Sequence, residues 1–358
     1  VTPVWAEPPL LTADLPGITG QIKAEPDDFI VEELPAYLPA GTGEHLFLWL
    51  EKRGLGAEFF LRQISKRLGV STNDIGTAGL KDRHAVTRQW VSVPAAAEPR
   101  LAALEGDGIR LLQMGRHTNK LRSGHLHGNR FTIRVRGAAH LPEVVEQVLT
   151  RLRTQGLPNY YGPQRFGHGR ETAELGLKLL AGQKAERRLS PFLRKLAISA
   201  GQSVIFNTYL ADRQNAGLLR TVLPGDVLAK WPTGGLFTAE DVPAEQARVD
   251  AGETIPAGPI IGRKLFASHS LAAEREAAIV AQFPLADPTF ADLGKLMGGT
   301  RRFNFVYPGE LTATWEANPA VASGYHLLVS FTLTSGCYAT VLLREILKVP
   351  VTSGDDEE

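Results

Sequence analysis

The sequence predicts an α+β protein in which one α+β domain is interrupted by a largely helical, loop-rich insertion. Strand-like alternation at both ends of the chain and 3.6-residue periodicity in the middle predict it. So does a length of 358 residues, 43% hydrophobic and 22% charged, which suits two globular domains.

In chain order, "GQIKAEPDDFIVEELP" alternates around Ile22, Phe29, Ile30 and Val31 and reads as two short strands broken by a Pro-Asp-Asp turn. "AEFFLRQISKRLGV" spaces Phe60, Ile64 and Leu68 as one face of a helix and stops at Gly69. "QWVSVP" and "NRFTIRVRG" read as strands, and "LPEVVEQVLTRLRTQG" as a helix with a capped start and a glycine stop. "LPNYYGPQRFGHG" is a turn-rich aromatic loop; helices follow over Glu171 to Ala181, Pro191 to Ala200 and Gln202 to Arg213. Pro and Gly from Pro224 to Gly262 predict short strands and loops. "VSFTLTSGCYATVLLREILKVP" closes with a strand, a tight turn and a helix.

Composition excludes several function classes. The single cysteine, Cys337, permits neither a disulfide framework nor a thiolate zinc site, and its place before an apolar helix predicts burial. Residues Val1 to Pro16 lack a basic and then apolar leader pattern, and no run has bilayer length, so a soluble, cytoplasmic protein is expected. His125 and His127 would share one strand face, but no carboxylate or thiolate stands near them, and no metal is expected. No Gly-x-Ser-x-Gly elbow or Gly-x-Gly-x-x-Gly turn occurs, which argues against serine hydrolysis and a dinucleotide cofactor.

Net charge is only +1, yet its distribution is uneven. From Gly108 to Pro142 no acid occurs, while Arg110, Arg116, Lys120, Arg122, Arg130, Arg134 and Arg136 accumulate; the chain closes with "SGDDEE". A local polyanion site and a solvated strand face both fit that run. "GTAGLKDRHAVTRQW" looks at first like a phosphate loop, but Leu80 precedes Lys81 and Asp82 follows it. A carboxylate there repels a triphosphate instead of holding its metal. What remains is an acid beside a base on a glycine-bent turn, either a surface turn or a loop presenting Asp82 to a substrate. Aromatic residues beside basic or amide ones, such as Phe131 after Asn129 and Arg130, suit an unstacked base, although each alone also suits a core.

Together these segments resemble the TruD family of pseudouridine synthases, which convert uridine 13 of certain tRNAs to pseudouridine. The resemblance runs through "GQIKAEPDDFIVEE", "GTAGLKDRHAVTRQ", "GRHTNKLRSGHLHGNRF", "NYYGPQRFG", "SAGQSVIFNTYL", "GPIIG" and "GCYATVLLRE" in family order. Thr334 and Cys337 depart from the proline and serine expected in the last motif. The resemblance implies a discontinuous catalytic domain over 1–157 and 305–358, with a mixed, mostly antiparallel sheet flanked by helices. It implies an inserted α+β domain, 158–304, facing it across a cleft for tRNA.

It also implies roles for residues. Asp82 becomes the catalytic carboxylate, able to act as nucleophile, leaving group or base. Attack on ribose C1′, attack on uracil C6 and elimination at C2′ stay open. A carboxylate held in an apolar pocket needs a cation, and Lys23 is the matching family lysine; Lys81 would point the other way in an extended loop. Phe131 would stack on the flipped base, Asn129 would position the Asp82 loop or the nucleotide, and Phe29 and Phe331 would complete the pocket. Lys81, His84, Arg116, Lys120, Arg122 and Arg165 are candidate RNA contacts, with further cations expected from Arg187, Arg188, Arg194 and Lys195. The expected protein is a monomer acting on tRNA without cofactor, metal or obligate protein partner. A non-catalytic RNA-binding protein and a metal-dependent nuclease using Asp82 are the competing classes.

Overall fold

The computed structural model describes residues 7–79, 81–185, 188–286, 290–318 and 324–351. They fold as two compact units, one from 15–153 and 308–339, the other from the described parts of 1–14, 154–307 and 340–352.

The first unit opens with a single bridge, Gln21 to Arg136, and a short 3₁₀ turn over Pro26–Asp28. One strand follows, β1 (Phe29–Pro35), where two were expected. Lys23 explains the difference: its φ of +56° turns the chain out of extended geometry immediately after the bridge. Next come β2 (His45–Arg53), helix α1 (Ala57–Leu68), β3 (Gly76–Thr77), β4 (Val86–Pro94), β5 (Ile109–His117), β6 (Leu126–Ala138) and helix α2 (Pro142–Gln155). α1 ends as its sequence requires, on Gly69 in the left-handed region, φ +59° and ψ +37°.

The second unit starts at β7 (Leu157–Pro158), followed by α3 (Glu171–Leu180) and α4 (Pro191–Asn215). The two helices expected over 191–213 are one, because Gly201 is not a stop. A Cβ on Gly176 of α3 would lie 1.9 Å from the Ala197 carbonyl of α4, and one on Gly201 would lie 3.0 Å from the Gly176 carbonyl carbon, so the two glycines let the helices touch backbone to backbone. β8 (Val227–Lys230), β9 (Leu236–Thr238), α5 (Val242–Asp250), β10 (Thr254–Ile260), α6 (Ser270–Val280), β11 (Thr300–Phe303) and β12 (Phe305–Val306) complete this stretch. α5 stands where only strands and loops were expected; its signals are Asp241, whose side chain accepts from Ala244 N at 3.0 Å, and Pro243 in the first turn. The sheet order is β11-β10-β8-β9, over a core that includes Ile198, Phe206, Leu228 and Ile255. β7 and β12 pair antiparallel, so the chain enters and leaves this stretch at adjacent points.

β13 (Gly309–Ala317) and β14 (Tyr325–Thr334) return to the first unit, and α7 (Ala339–Leu347) ends the regular structure. Most of α7 belongs to the second unit, where buried Glu345 accepts from the amides of Leu11 and Thr12 at 2.9 and 3.0 Å.

The large sheet of the first unit has the order β13-β14-β6-β1-β4-β2-β5, with β3 on β4. It is mixed, the β1–β4 pair being parallel and its other pairs antiparallel. Alternation sorts its side chains. One face carries Phe29, Val31, Phe131, Phe331, Leu46, Leu48 and Leu50, all buried, and α1 covers part of it through Phe60, Ile64 and Leu68. The opposite face carries a row of charges that crosses the strands: Arg110, Glu51, Arg88, Glu32, Arg130 and Glu310, each within 3.3 Å of the next.

Candidate active site

Asp82 sits on the connection between β3 and β4, and close backbone packing fixes where that connection starts. A Cβ on Gly76 would come within 2.2 Å of the Leu121 carbonyl, so only glycine fits, and two residues on the Gly124 amide donates to the Ala78 carbonyl at 2.9 Å. At the other end the fully buried Lys52 donates to the main-chain carbonyls of Asp82 at 2.8 Å and Leu55 at 2.6 Å. The loop is therefore tied down on both sides of its acid.

Lys23 reaches the same acid, with its Nζ 3.4 Å from Asp82 Oδ2. The lysine side chain is 5% exposed and that of the aspartate 32% exposed, so the cation is covered while the carboxylate keeps an open side. Lys23 Nζ also lies 4.4 Å from the centroid of Phe29, a cation–π contact. The left-handed backbone of Lys23 costs about 1 kcal/mol in a non-glycine residue. The paired Gln21–Arg136 bridge, with bonds of 2.9 and 2.7 Å two residues upstream, helps hold it there.

Lys81 takes partners different from those of Asp82. Its Nζ forms an ion pair with Glu33 Oε1 at 2.8 Å and donates to Asn129 Oδ1 at 2.9 Å, while Glu33 Oε2 accepts from the Trp90 amide at 2.9 Å. Glu33 is 1% exposed, so this pair is shielded from solvent screening. Asn129 thus contacts the Asp82 loop through Lys81. The aromatic residues adjoin one another: Phe131 stacks on Phe331 with centroids 5.2 Å apart and meets Phe29 edge-on at 6.3 Å. Phe131 is the most open of the three, at 7%.

Sequence reasoning missed Glu33 and Lys52. The signal was the period of 2: Glu33 continues the face of Phe29 and Val31, and Lys52 that of Leu46, Leu48 and Leu50. A charge on a buried strand face requires a partner, and both residues have theirs in the Asp82 loop.

The basic run divides in two. Arg110, Arg130, Arg134 and Arg136 pair with Glu51, Glu32, Glu316 and Asp28 within 3.2 Å, and Arg116 pairs with Glu98. Lys120 and Arg122 have no carboxylate partner among the described residues; Lys120 donates to the Asn73 carbonyl. Both line a cavity of about 600 Å³ with Tyr37, His117, Asn119 and His125. Burial raises the Tyr37 phenol above its ordinary range and Arg122 opposes the shift, so the hydroxyl stays a neutral donor at physiological pH.

A family model described as tRNA pseudouridine synthase D (TruD) matches residues 7–187 and 181–346. A curated tRNA pseudouridine synthase D from Anaeromyxobacter sp. (strain Fw109-5) is 44% identical over 347 residues, covering 95% of this chain and 96% of the relative. One from Thermus thermophilus is 44% identical over 342 residues, with 95% and 92% covered. This chain belongs to the TruD family. Its fold is also that of a TruD crystal structure from Methanosarcina mazei, with a TM-score of 0.75 over 95% of this chain and 96% of that one at 22% identity.

Within this TruD-family chain the "GLKD" and "GNRF" motifs meet, through Lys81 and Asn129, and "GQIK" reaches "GLKD" through Lys23 and Asp82. His84 is half-buried on the same loop. Arg165 lies in the second unit, where Nε donates to Ser203 Oγ at 3.1 Å and the guanidinium lies 5.5 Å from the Tyr161 ring. Arg188, Arg194 and Lys195 are exposed there, and Arg187 lies outside the described residues, as does the acidic tail. Two expectations need correction. His125 precedes β6 instead of sharing a strand face with His127, because its amide donates to the Arg122 carbonyl at 3.1 Å and closes a turn just before the strand. Cys337 is half-buried in the turn before α7, its sulfur 3.3 Å from Thr334 Oγ1. No described helix is long and apolar enough to cross a membrane.

Proposed function

We propose that this protein isomerises uridine 13 of tRNA to pseudouridine, with Asp82 as the catalytic carboxylate and Lys23 as its charge partner. The observation that carries the reading is the held acid: in a TruD-family chain, Asp82 has its main chain bound by buried Lys52 and its carboxylate 3.4 Å from Lys23. The reaction breaks the C1′–N1 bond, turns the uracil, joins C1′ to C5, releases the C5 proton and takes up a proton on N1. It involves no net oxidation or hydrolysis, so it needs neither a cofactor nor an energy source. A fixed, partly exposed carboxylate can act as nucleophile and leaving group and can take the C5 proton.

To reach Asp82 the uridine leaves its stack, which costs a few kcal/mol. Phe131 is placed in this reading to receive the flipped base, backed by Phe331 and Phe29, while Lys81 and Asn129 hold the loop. Residues 158–304 form the inserted domain, a reading that the antiparallel pairing of its entry and exit strands supports. The cations Lys81, His84, Arg116, Lys120, Arg122 and Arg165 contribute to binding the RNA. The test is to incubate unmodified tRNA bearing uridine 13 with the protein in EDTA, label pseudouridine with a carbodiimide, and map the reverse-transcription stops. A stop at position 13 that Asp82→Asn removes is the expected result. RNA binding with no stop anywhere in a full tRNA pool would overturn the reading in favour of a non-catalytic binder.

A further inference from the structure

The loop from Thr118 to His125 forms a second feature that the reaction at Asp82 does not use. Of the seven Lys and Arg residues between Gly108 and Pro142, five are held by carboxylates and two have none among the described residues, and those two, Lys120 and Arg122, line one cavity. None of the residues lining it is acidic. Its aromatic wall is built on a buried floor: Tyr37 stacks on His117 at 4.9 Å, and His117 packs at 4.8 Å on Phe47, which lies in one cluster with Trp90 and Leu121. Tyr37, His117 and His125 are themselves only half-buried.

The imidazoles are set as donors. Nδ1 of His117 accepts from the Ala40 amide at 3.2 Å, and Nδ1 of His125 accepts from the Arg122 amide at 3.4 Å, so a neutral ring carries its proton on Nε2 in both. Cations, ring donors and flat aromatic faces without a carboxylate suit a phosphate joined to a base, and about 600 Å³ lies in the range of small-ligand sites.

We propose that this cavity is a subsite for one nucleotide of the RNA other than the reacting uridine, its phosphate on Lys120 and Arg122 and its base against Tyr37 and His117. The inference rests on the RNA-substrate reading above. Position ties it to the reaction, since the same loop packs on the residues that begin the Asp82 connection, through Leu121 on Gly76 and Gly124 on Ala78. A nucleotide held here orders the loop that braces the catalytic one.

The test measures the affinity of full-length protein for unmodified tRNA over a salt series, for wild type, Arg122→Ala and Lys120→Gln. We expect each variant to weaken binding about tenfold, with the slope of log affinity against log salt reduced by about 0.7–0.9 for each phosphate no longer neutralised. In parallel, tRNA carrying 5-iodouridine is photocrosslinked to wild-type protein, where folding is not in question, and the adducts are expected on Tyr37 or His117. Unchanged affinity and slope in folded variants, or no adduct on this wall at any substituted position, would overturn the proposal. Inorganic phosphate exchanged for chloride at constant ionic strength separates a free-anion site. Protection from melting by phosphate that Arg122→Ala abolishes, with RNA affinity unchanged, would also overturn it. If wild type leaves uridine 13 unmodified but the variants bind RNA more weakly, the enzymatic reading fails and the subsite stands. A modified uridine 13 with no change in binding or crosslinking sinks the subsite alone.

Discussion

Glu32 and Glu33 are neighbours in β1 and live in different solvents. Glu32 faces the open side of the sheet, 29% exposed, between Arg88 and Arg130 in a row where positive and negative charges alternate. Glu33 faces the covered side, 1% exposed, with Lys81 at 2.8 Å. The chemistry of the two pairs is nearly the same, but the work they can do is not. In water a charge pair is screened and gains little; in a buried site each charge is stranded if its partner leaves. The sheet therefore uses its exposed row to neutralise a basic surface and its buried pair to fix the loop that carries Asp82.

The comparison breaks most visibly at Asp82 itself. Asp82→Asn should abolish pseudouridine formation, a fall on the order of 10³-fold or more, while tRNA affinity stays within about twofold; tritium release from C5-labelled uridine measures the first and filter binding the second. Next is the buried pair. Glu33→Gln leaves the Lys81 ammonium without its counter-charge and should cost about 3–5 kcal/mol in chemical denaturation, and the double change Glu33→Gln with Lys81→Met should recover most of it. A loss below about 1 kcal/mol for the single change would place this pair with the exposed ones.

Lys23→Met tests the partner of the acid. Turnover should fall about 10- to 100-fold with RNA affinity little changed, because the cation acts on the carboxylate and not on phosphate. An equal fall in affinity would instead make Lys23 an RNA contact. The smallest effect is expected in the row: Arg88→Ala should cost at most about 1 kcal/mol of stability and leave the salt slope of tRNA binding as it was. A slope reduced by one full phosphate's worth would show that the row opens to receive RNA.

Much of this was legible in the chain. Periodicity located α1 and its glycine stop, the strands around Trp90 and Phe131, and the closing strand–turn–helix. The ordered motifs alone resemble the TruD family. The misreadings have a common cause. Gly201 looked like a helix stop because a glycine lacking a visible partner reads as one; its reason is Gly176, which lies 25 positions earlier and touches it. Val242–Asp250 was hidden among prolines and glycines that belong to its flanks. For the basic run a polyanion site and a solvated strand face both stayed open, because the acids that hold part of it come from other strands, Glu51 from β2, Glu32 from β1 and Glu316 from β13.

By itself the sequence determined which residues could line a buried face, where most elements begin and end, and which motifs a TruD-family chain carries, because periodicity and turn chemistry are local. Only the tertiary structure decided which charges meet. It brought Lys23 to Asp82 across 59 positions and Lys81 to Asn129 across 48, and among the described residues it left Lys120 and Arg122 without carboxylates while their neighbours were neutralised. Coulomb energies depend on separations of a few ångströms and on the surrounding dielectric, and both are properties of the packed sheet, not of any segment of the chain.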